Sequence, residues 1–303
     1  MIMALKQISI QREYEKNPEI SPEDIGQLRE WLATQPHLPG ELLTDLDLLL
    51  VYHCCERSMQ VSKQVLDLHY TLRTMFTQFF HNRSVDKKIE FTLDTVLICP
   101  LPTRSTDGNK VIYARLLDND PRNFFFPDIA RAFMMIFDLL QYEEGTWPGL
   151  VLIIDMDQSV LAHLGRLELM VLKKVLYFVQ ECMLVKLKQI CFINAPPFVD
   201  KLMMLIRPLI NKTLMDIIKI HPVGTDTMYK TVPRAAFPKE SGGEYKSYNK
   251  IKEEQLDRLK SNQDFFQQEN KRRVSEPLRP GARPNNVDNI FGIQGSFKKL
   301  DID

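Results

Sequence analysis

The stretch from Gly149 to Gly243 constrains this chain more than any other. It opens on a buried-strand run that ends in an acid pair, Gly149-Leu-Val-Leu-Ile-Ile-Asp155-Met-Asp157. A long apolar helix pattern covers about 164–185, and a second strand, Gln189-Ile-Cys-Phe-Ile-Asn-Ala195, is closed by Pro196-Pro197. A very apolar helix follows from Pro197 to Arg207 and is interrupted at Pro208. A third strand at 217–221 and a terminal Pro238-Lys-Glu-Ser-Gly242-Gly243 complete the stretch. Strands alternating with helices predict an α/β fold with a mainly parallel sheet covered by helices. These helices carry more apolar surface than a sheet alone demands. The strand ends lack the glycines and catalytic groups usual in α/β enzymes, so the pattern favours a cavity for an apolar ligand over an active site.

The flanks read differently. Ser21-Pro22-Glu23-Asp24 is a helix start, with Ser as N-cap, Pro at the first helical position and Asp24 placed to close a capping box. Further helix patterns cover about 41–55 and 61–74, so residues 1–82 predict a small all-helical domain. Two strands, 95–99 and 110–115, joined by Thr103–Asn109, predict a hairpin. They open a second domain at 83–245, in which Phe124-Phe125-Phe126-Pro127 leads into a helix over 128–142. Residues 246–303 predict a charged helix followed by a flexible tail, because 272–289 mixes Pro and Gly with polar residues.

Composition narrows the function classes. With 39 basic and 39 acidic residues the formal charge is zero, which removes any global field toward nucleic acid. The five cysteines are odd in number and form no CxxC pair, which predicts reduced thiols. No apolar h-region is evident in Met1–Ile10 and no run is long enough to cross a bilayer. These features predict a cytoplasmic protein. No Gly-rich phosphate loop or nucleophile elbow is present, the six histidines are scattered, and no metal or cofactor is expected. The one enzyme-like motif is Asp155-Met-Asp157-Gln-Ser159, which matches the nucleophile motif of aspartate-dependent, Mg²⁺-using phosphatases. The next two strands, however, end without the second acid pair that such enzymes need.

The ordered set of Ile-Ile-Asp155-Met-Asp157, Ile-Cys-Phe-Ile-Asn194-Ala-Pro196, Ile206-Arg207-Pro208, Ile218-Lys-Ile-His221 and Pro238–Gly243 resembles the CRAL-TRIO lipid-binding family over about residues 20–245. Phe291–Leu300 resembles the tail of insect members. The chain departs from the family pattern at Val51–Arg57, where an Arg-rich segment is usual. It departs again at Gln158, where glycine is common, and at Ser241, where Tyr is usual. The resemblance implies a pocket floored by the sheet and closed by a mobile gate helix. It also implies carriage of one small tocopherol-, retinoid- or carotenoid-like molecule between membranes without chemistry.

Family positions that touch ligand match Ile129, Ala132, Ile136, Ile154, Val175, Phe178, Val179, Met183 and Ile190, and Phe133 and Phe192 lie beside them. The same apolar stripes also read as ordinary core. In the gate, Phe198, Leu202, Leu205, Ile206 and Leu209 are expected to face the cavity, with Met203, Met204 and Ile210 near the surface, where methionines suit an adaptable lid or membrane contact. Lys186 and Lys188 match basic positions of phosphoinositide-binding members and Arg207 could add to them, which gives a phospholipid-binding adaptor as the alternative. Expected partners are therefore a hydrophobic lipid and a membrane surface, with no nucleic acid. Lys271-Arg272-Arg273-Val274-Ser275 matches a basophilic kinase site in the expected tail.

Overall fold

A computed structural model describes residues 6–281. The first helices are α1 (Ile10–Lys16), α2 (Pro22–Ala33), α3 (Asp45–Cys54), α4 (Met59–Met75) and α5 (Thr77–Phe80). Local chemistry sets their starts. The amide of Ser21 donates to Asp24 Oδ2 at 2.9 Å while the amide of Asp24 donates to Ser21 Oγ at 3.2 Å, and Thr44 and Asp47 repeat the capping box at α3. Ile25, Leu28 and Leu32 of α2 pack with Leu48, Leu49, Leu66 and Tyr70 into a core of their own.

Helix α6 (Lys87–Thr95) runs into β1 (Val96–Pro100), followed by β2 (Lys110–Leu116), α7 (Phe126–Glu144), β3 (Leu150–Asp155), α8 (Leu169–Glu181), β4 (Leu187–Ala195), α9 (Val199–Ile206), α10 (Lys212–Asp216) and β5 (Ile218–Pro222). The strands form one sheet in the order β1-β2-β3-β4-β5; β1 is antiparallel to β2 and the other pairs are parallel. The expected hairpin and parallel strands are thus one mixed sheet. The long helix pattern at 164–185 is broken, with a 3-10 turn at Leu161–Arg166 ahead of α8.

Side chains alternate across the sheet. Leu97, Cys99, Val111, Tyr113, Val151, Ile153, Cys191 and Ile193 face one way and pack against Met228, Val232, Ala236 and Phe237 of the following coil and Ile251 of α11 (Tyr248–Ser261). The Pro238–Gly243 segment locks that coil. A Cβ at Gly243 would lie 2.0 Å from the Phe237 carbonyl oxygen, and Gly242 has φ +78°. The opposite face carries Ile98, Leu152, Ile154, Ile190 and Phe192 beneath α7, α8 and α9.

The C-terminal segment corrects the sequence reading. After α12 (Gln263–Glu269), residues 270–281 dock on the helical region rather than leaving it. Val274 is buried and its amide donates to Thr74 Oγ1 at 2.9 Å; the Ser275 amide donates to the His37 carbonyl at 2.8 Å; Arg279 pairs with Asp67 at 2.7 Å. The composition is that of a loose tail, but its arginines find carboxylate partners. Arg272 pairs with Asp47 at 3.0 Å and Arg273 with Glu269 at 3.2 Å, so the two arginines ahead of Ser275 are already engaged. The family-like ending at 291–300 lies outside the described residues.

A buried charge cluster with no sequence signature joins these parts. Arg73 of α4 and Arg83 pair with Asp138 of α7 at 2.5 and 2.7 Å, and with Glu269 of α12 at 2.9 and 2.5 Å. Two cations and two anions balance, which is what makes burying them tolerable. Burial pushes the Asp138 and Glu269 carboxyls up, but Arg73 and Arg83 outweigh it and hold both below the usual carboxylate range. Glu56 adds a surface contact between the helical region and the sheet, pairing with Lys186 at 2.8 Å.

Candidate ligand cavity

Between the sheet and α7, α8 and α9 lies a cavity of about 310 Å³. The sheet supplies its floor: Val96 and Ile98 from β1, Ala114 and Leu116 from β2, Leu150, Leu152 and Ile154 from β3, Leu187, Ile190 and Phe192 from β4, and Ile218 from β5. Helix α7 contributes Phe126, Ile129, Ala130, Phe133 and Met134; α8 contributes Leu172, Val175, Leu176 and Val179, with Met183 just beyond it. Phe198, Leu202 and Ile206 close the side formed by α9, and Leu214 comes from α10. Spacings of three and four residues put each helix's set on one face.

Of the residues singled out in the sequence, Ile129, Phe133, Ile154, Val175, Val179, Met183, Ile190, Phe192, Phe198, Leu202 and Ile206 are brought together on this wall. Ala132, Ile136 and Phe178 are not. Ala132 and Ile136 are packed in the core on another side of α7. This helix is buried on most of its circumference, so periodicity marks an apolar stripe without saying which part of it meets a void. Phe178 points to the helical region, with its ring 4.9 Å from that of Phe80 and 5.6 Å from that of His69.

The gate segment needs a similar correction. Met203 is buried in the cluster beneath α9 rather than lying near the surface, and Leu205 is 38 % exposed rather than facing the cavity. Leu209 is half-buried off the wall, its carbonyl accepting from Gln180 Nε2 at 3.2 Å. Met204 is 72 % exposed. Leu161, Leu169 and Met170 are also exposed, on elements whose inner residues Leu164, Leu167 and Leu172 share the α9 cluster.

The basic residues are engaged differently. Lys186 is engaged by Glu56. Lys188 is exposed, its stem lying over Gly149, and Arg207 is exposed beyond α9. Among the described residues no carboxylate pairs with Lys188 or Arg207.

Asp155 is a structural residue in this setting. Its carboxylate accepts from Tyr113 Oη at 2.5 Å, Asn194 Nδ2 at 2.8 Å, the Asp157 amide at 3.0 Å and Arg115 Nη1 at 3.4 Å. Asp157 accepts from Arg115 Nη2 at 3.0 Å. With four donors on it and 3 % exposure, Asp155 has no lone pair free to attack phosphorus, which removes the basis of the phosphatase reading. Ser241 Oγ lies 2.7 Å from both Tyr113 Oη and Tyr248 Oη, so the hydroxyl at this departure from the family pattern links the sheet to α11. Gln158 takes φ +66°, a left-handed conformation that explains why glycine is common there.

The polar wall residues Ser159 and His163 lie in the loop and turn after β3; the sequence marked Ser159 only as part of the phosphatase-like motif and His163 only as one of the scattered histidines. His163 Nδ1 accepts from the Val160 amide at 3.0 Å, and burial holds the imidazole below the usual histidine range. No pattern marked either as a wall residue; only their place one turn beyond a strand end could have drawn attention.

The CRAL/TRIO domain model matches residues 94–243 and the Pinta-like UBA domain model matches residues 17–89. Clavesin-1 of Mus musculus is 24 % identical over 240 residues, 78 % of this chain and 68 % of that protein. The alpha-tocopherol transfer protein-like protein of Homo sapiens is 22 % identical over 232 residues, 76 % of this chain and 68 % of that protein. The crystal structure of Sfh5 aligns with a TM-score of 0.42 at 11 % identity, covering 66 % of this chain and 74 % of that one. Residues 94–243, which hold the sheet and its covering helices, are a CRAL/TRIO domain, of the family known for lipid-binding and lipid-transfer proteins.

Proposed function

We propose that this protein binds one small hydrophobic lipid in the cavity and carries it between membranes without chemistry. The carrying observation is the cavity itself: about 310 Å³ of space walled almost wholly by apolar side chains in an otherwise packed domain. Protein interiors close such spaces unless something fills them, and ligand sites start at about 300 Å³. That size suits a tocopherol- or retinoid-like molecule better than a much longer carotenoid. The name of one relative, alpha-tocopherol transfer protein-like, points the same way.

Helix α9 is the gate in this reading. It is bounded by Pro196-Pro197 on one side and Pro208 on the other, so the backbone ladder is interrupted at both ends. Its inner face closes the cavity and its outer face exposes Met204 and Leu205; Leu161, Leu169 and Met170 are exposed on elements whose inner residues share the α9 cluster. Such a rim suits contact with a bilayer. No helix among the described residues is long and apolar enough to cross a membrane.

Transfer of a fluorescent retinoid or tocopherol between vesicles tests the proposal. The wild type is expected to accelerate transfer, and Met204→Asp with Leu205→Asp to slow it while a preloaded ligand stays bound. Transfer no faster than without protein would refute the carrier role.

A further inference from the structure

The wall is apolar almost throughout, yet one of its side chains carries a buried polar atom that nothing in the protein satisfies. His163 is 5 % exposed and stands on the cavity wall. The Val160 amide, a fixed donor, lies 3.0 Å from Nδ1, closer than the Val160 carbonyl at 3.2 Å, so Nδ1 is the accepting nitrogen. The proton of the neutral ring then sits on Nε2. That atom is buried and has no hydrogen-bond partner; among the described residues, His163 is the one that both lines the cavity and carries such an atom. The other polar groups there are engaged: Arg115 and Asp155 hold each other, and Ser159 Oγ donates to the Met156 carbonyl at 2.5 Å. Having donated its hydrogen, the Ser159 oxygen keeps lone pairs free to accept. Two residues that line the cavity therefore carry an unused donor and, four residues before it, an unused acceptor. Burying a donor without a partner costs its full desolvation, so an acceptor from outside the protein is what the arrangement lacks.

We propose that His163 is the polar end of the ligand site, and that the ligand is an apolar molecule carrying one hydroxyl, which accepts from His163 Nε2–H and donates to Ser159 Oγ. This rests on the carrier reading above and adds the chemical class of the cargo. A pure hydrocarbon would leave the imidazole donor unpaired; a lone carbonyl would use the donor and leave Ser159 unused.

The test compares two probes of one carbon skeleton, farnesol and farnesene, the second lacking the hydroxyl. Binding to the full chain is measured by titration under native mass spectrometry, for the wild type, His163→Phe and His163→Gln. His163→Phe is expected to weaken farnesol about five- to tenfold and leave farnesene unchanged or slightly tighter. His163→Gln keeps a donor and should restore part of the farnesol affinity. Unchanged farnesene binding shows that the variant cavity is intact. Equal shifts for both probes, or no shift for either, would overturn the assignment of His163. Failure of the wild type to bind either probe would instead overturn the carrier reading, and this inference with it.

Discussion

The two faces of the one sheet are built from the same kinds of residue and end in opposite states. On one face Val111, Tyr113, Val151, Ile153 and Cys191 meet a coil that follows their contours, with Phe237 set edge-on to Tyr113 at 5.7 Å. On the other, Ala114, Leu152, Ile154 and Ile190 meet three helices, and about 310 Å³ remains unfilled. Coil can settle residue by residue onto a surface. Helices are stiff rods that span the sheet on their longest side chains, and small residues, Ala114 on the floor and Ala130 on α7, leave a gap. The difference lies in what covers each face rather than in the strands themselves.

Truncation should separate the faces most clearly. Phe237→Ala is expected to cost about 3–5 kcal/mol in chemical denaturation, because a full cavity opens in a packed layer. Phe133→Ala on the wall should cost less than half of that, since its neighbours already border empty space. Equal costs would mean that the two faces are packed alike.

The charge cluster that binds α4, α7 and α12 together gives a second large effect. Arg83→Met leaves Asp138 and Glu269 sharing one fewer cation and should cost about 3–5 kcal/mol. Both carboxyls are held below their ordinary range in the folded protein. Their contribution is therefore complete above the unfolded carboxylate range near pH 4 and is lost as pH falls through the lower folded values. Denaturation midpoints measured from about pH 6 down to about pH 2 should fall for the wild type and fall less steeply for Arg83→Met. Parallel curves would remove these two groups from the acid response.

Enlargement sharpens the comparison with smaller effects. Ala132→Phe, in packed core, should destabilise by about 1–3 kcal/mol, whereas Ala114→Phe, on the cavity floor, should be near neutral and block ligand entry. The measurement is thermal or chemical stability beside lipid uptake. Reversal of the two would place the void elsewhere.

At the surface, Ser275→Glu should change binding to anionic vesicles little. Arg272 and Arg273 are committed to Asp47 and Glu269, so little free positive charge remains for the new carboxylate to cancel. Stability should move by no more than about 0.5 kcal/mol. A marked loss of vesicle binding at low salt would show that the docked segment takes part.

Much of the fold was legible because its signals are local. The capping box at Ser21, the glycines at 242 and 243 and the period-two runs in β3 and β4 each fix backbone on their own. The cavity was legible only in part. Ile129, Phe133, Val175 and Val179 follow from helix periodicity, but Ala132, Ile136 and Phe178 share that periodicity and face elsewhere, because the azimuth of a helix is set by its neighbours. Least legible were the long-range polar pairings. Arg73 and Glu269 are 196 residues apart in sequence, and nothing near either one announces the other. The same holds for Arg279 and Asp67, which is why the segment after α12 reads as a loose tail and yet is docked.

The central claim is that the gap on one face of the sheet holds a lipid. Native mass spectrometry of the full chain, followed by organic extraction, tests it most directly. The account predicts one added small apolar molecule per chain in the wild type, and its loss in Ala114→Phe with the fold retained. An unliganded mass for the wild type that stays unchanged after incubation with lipid vesicles would contradict it.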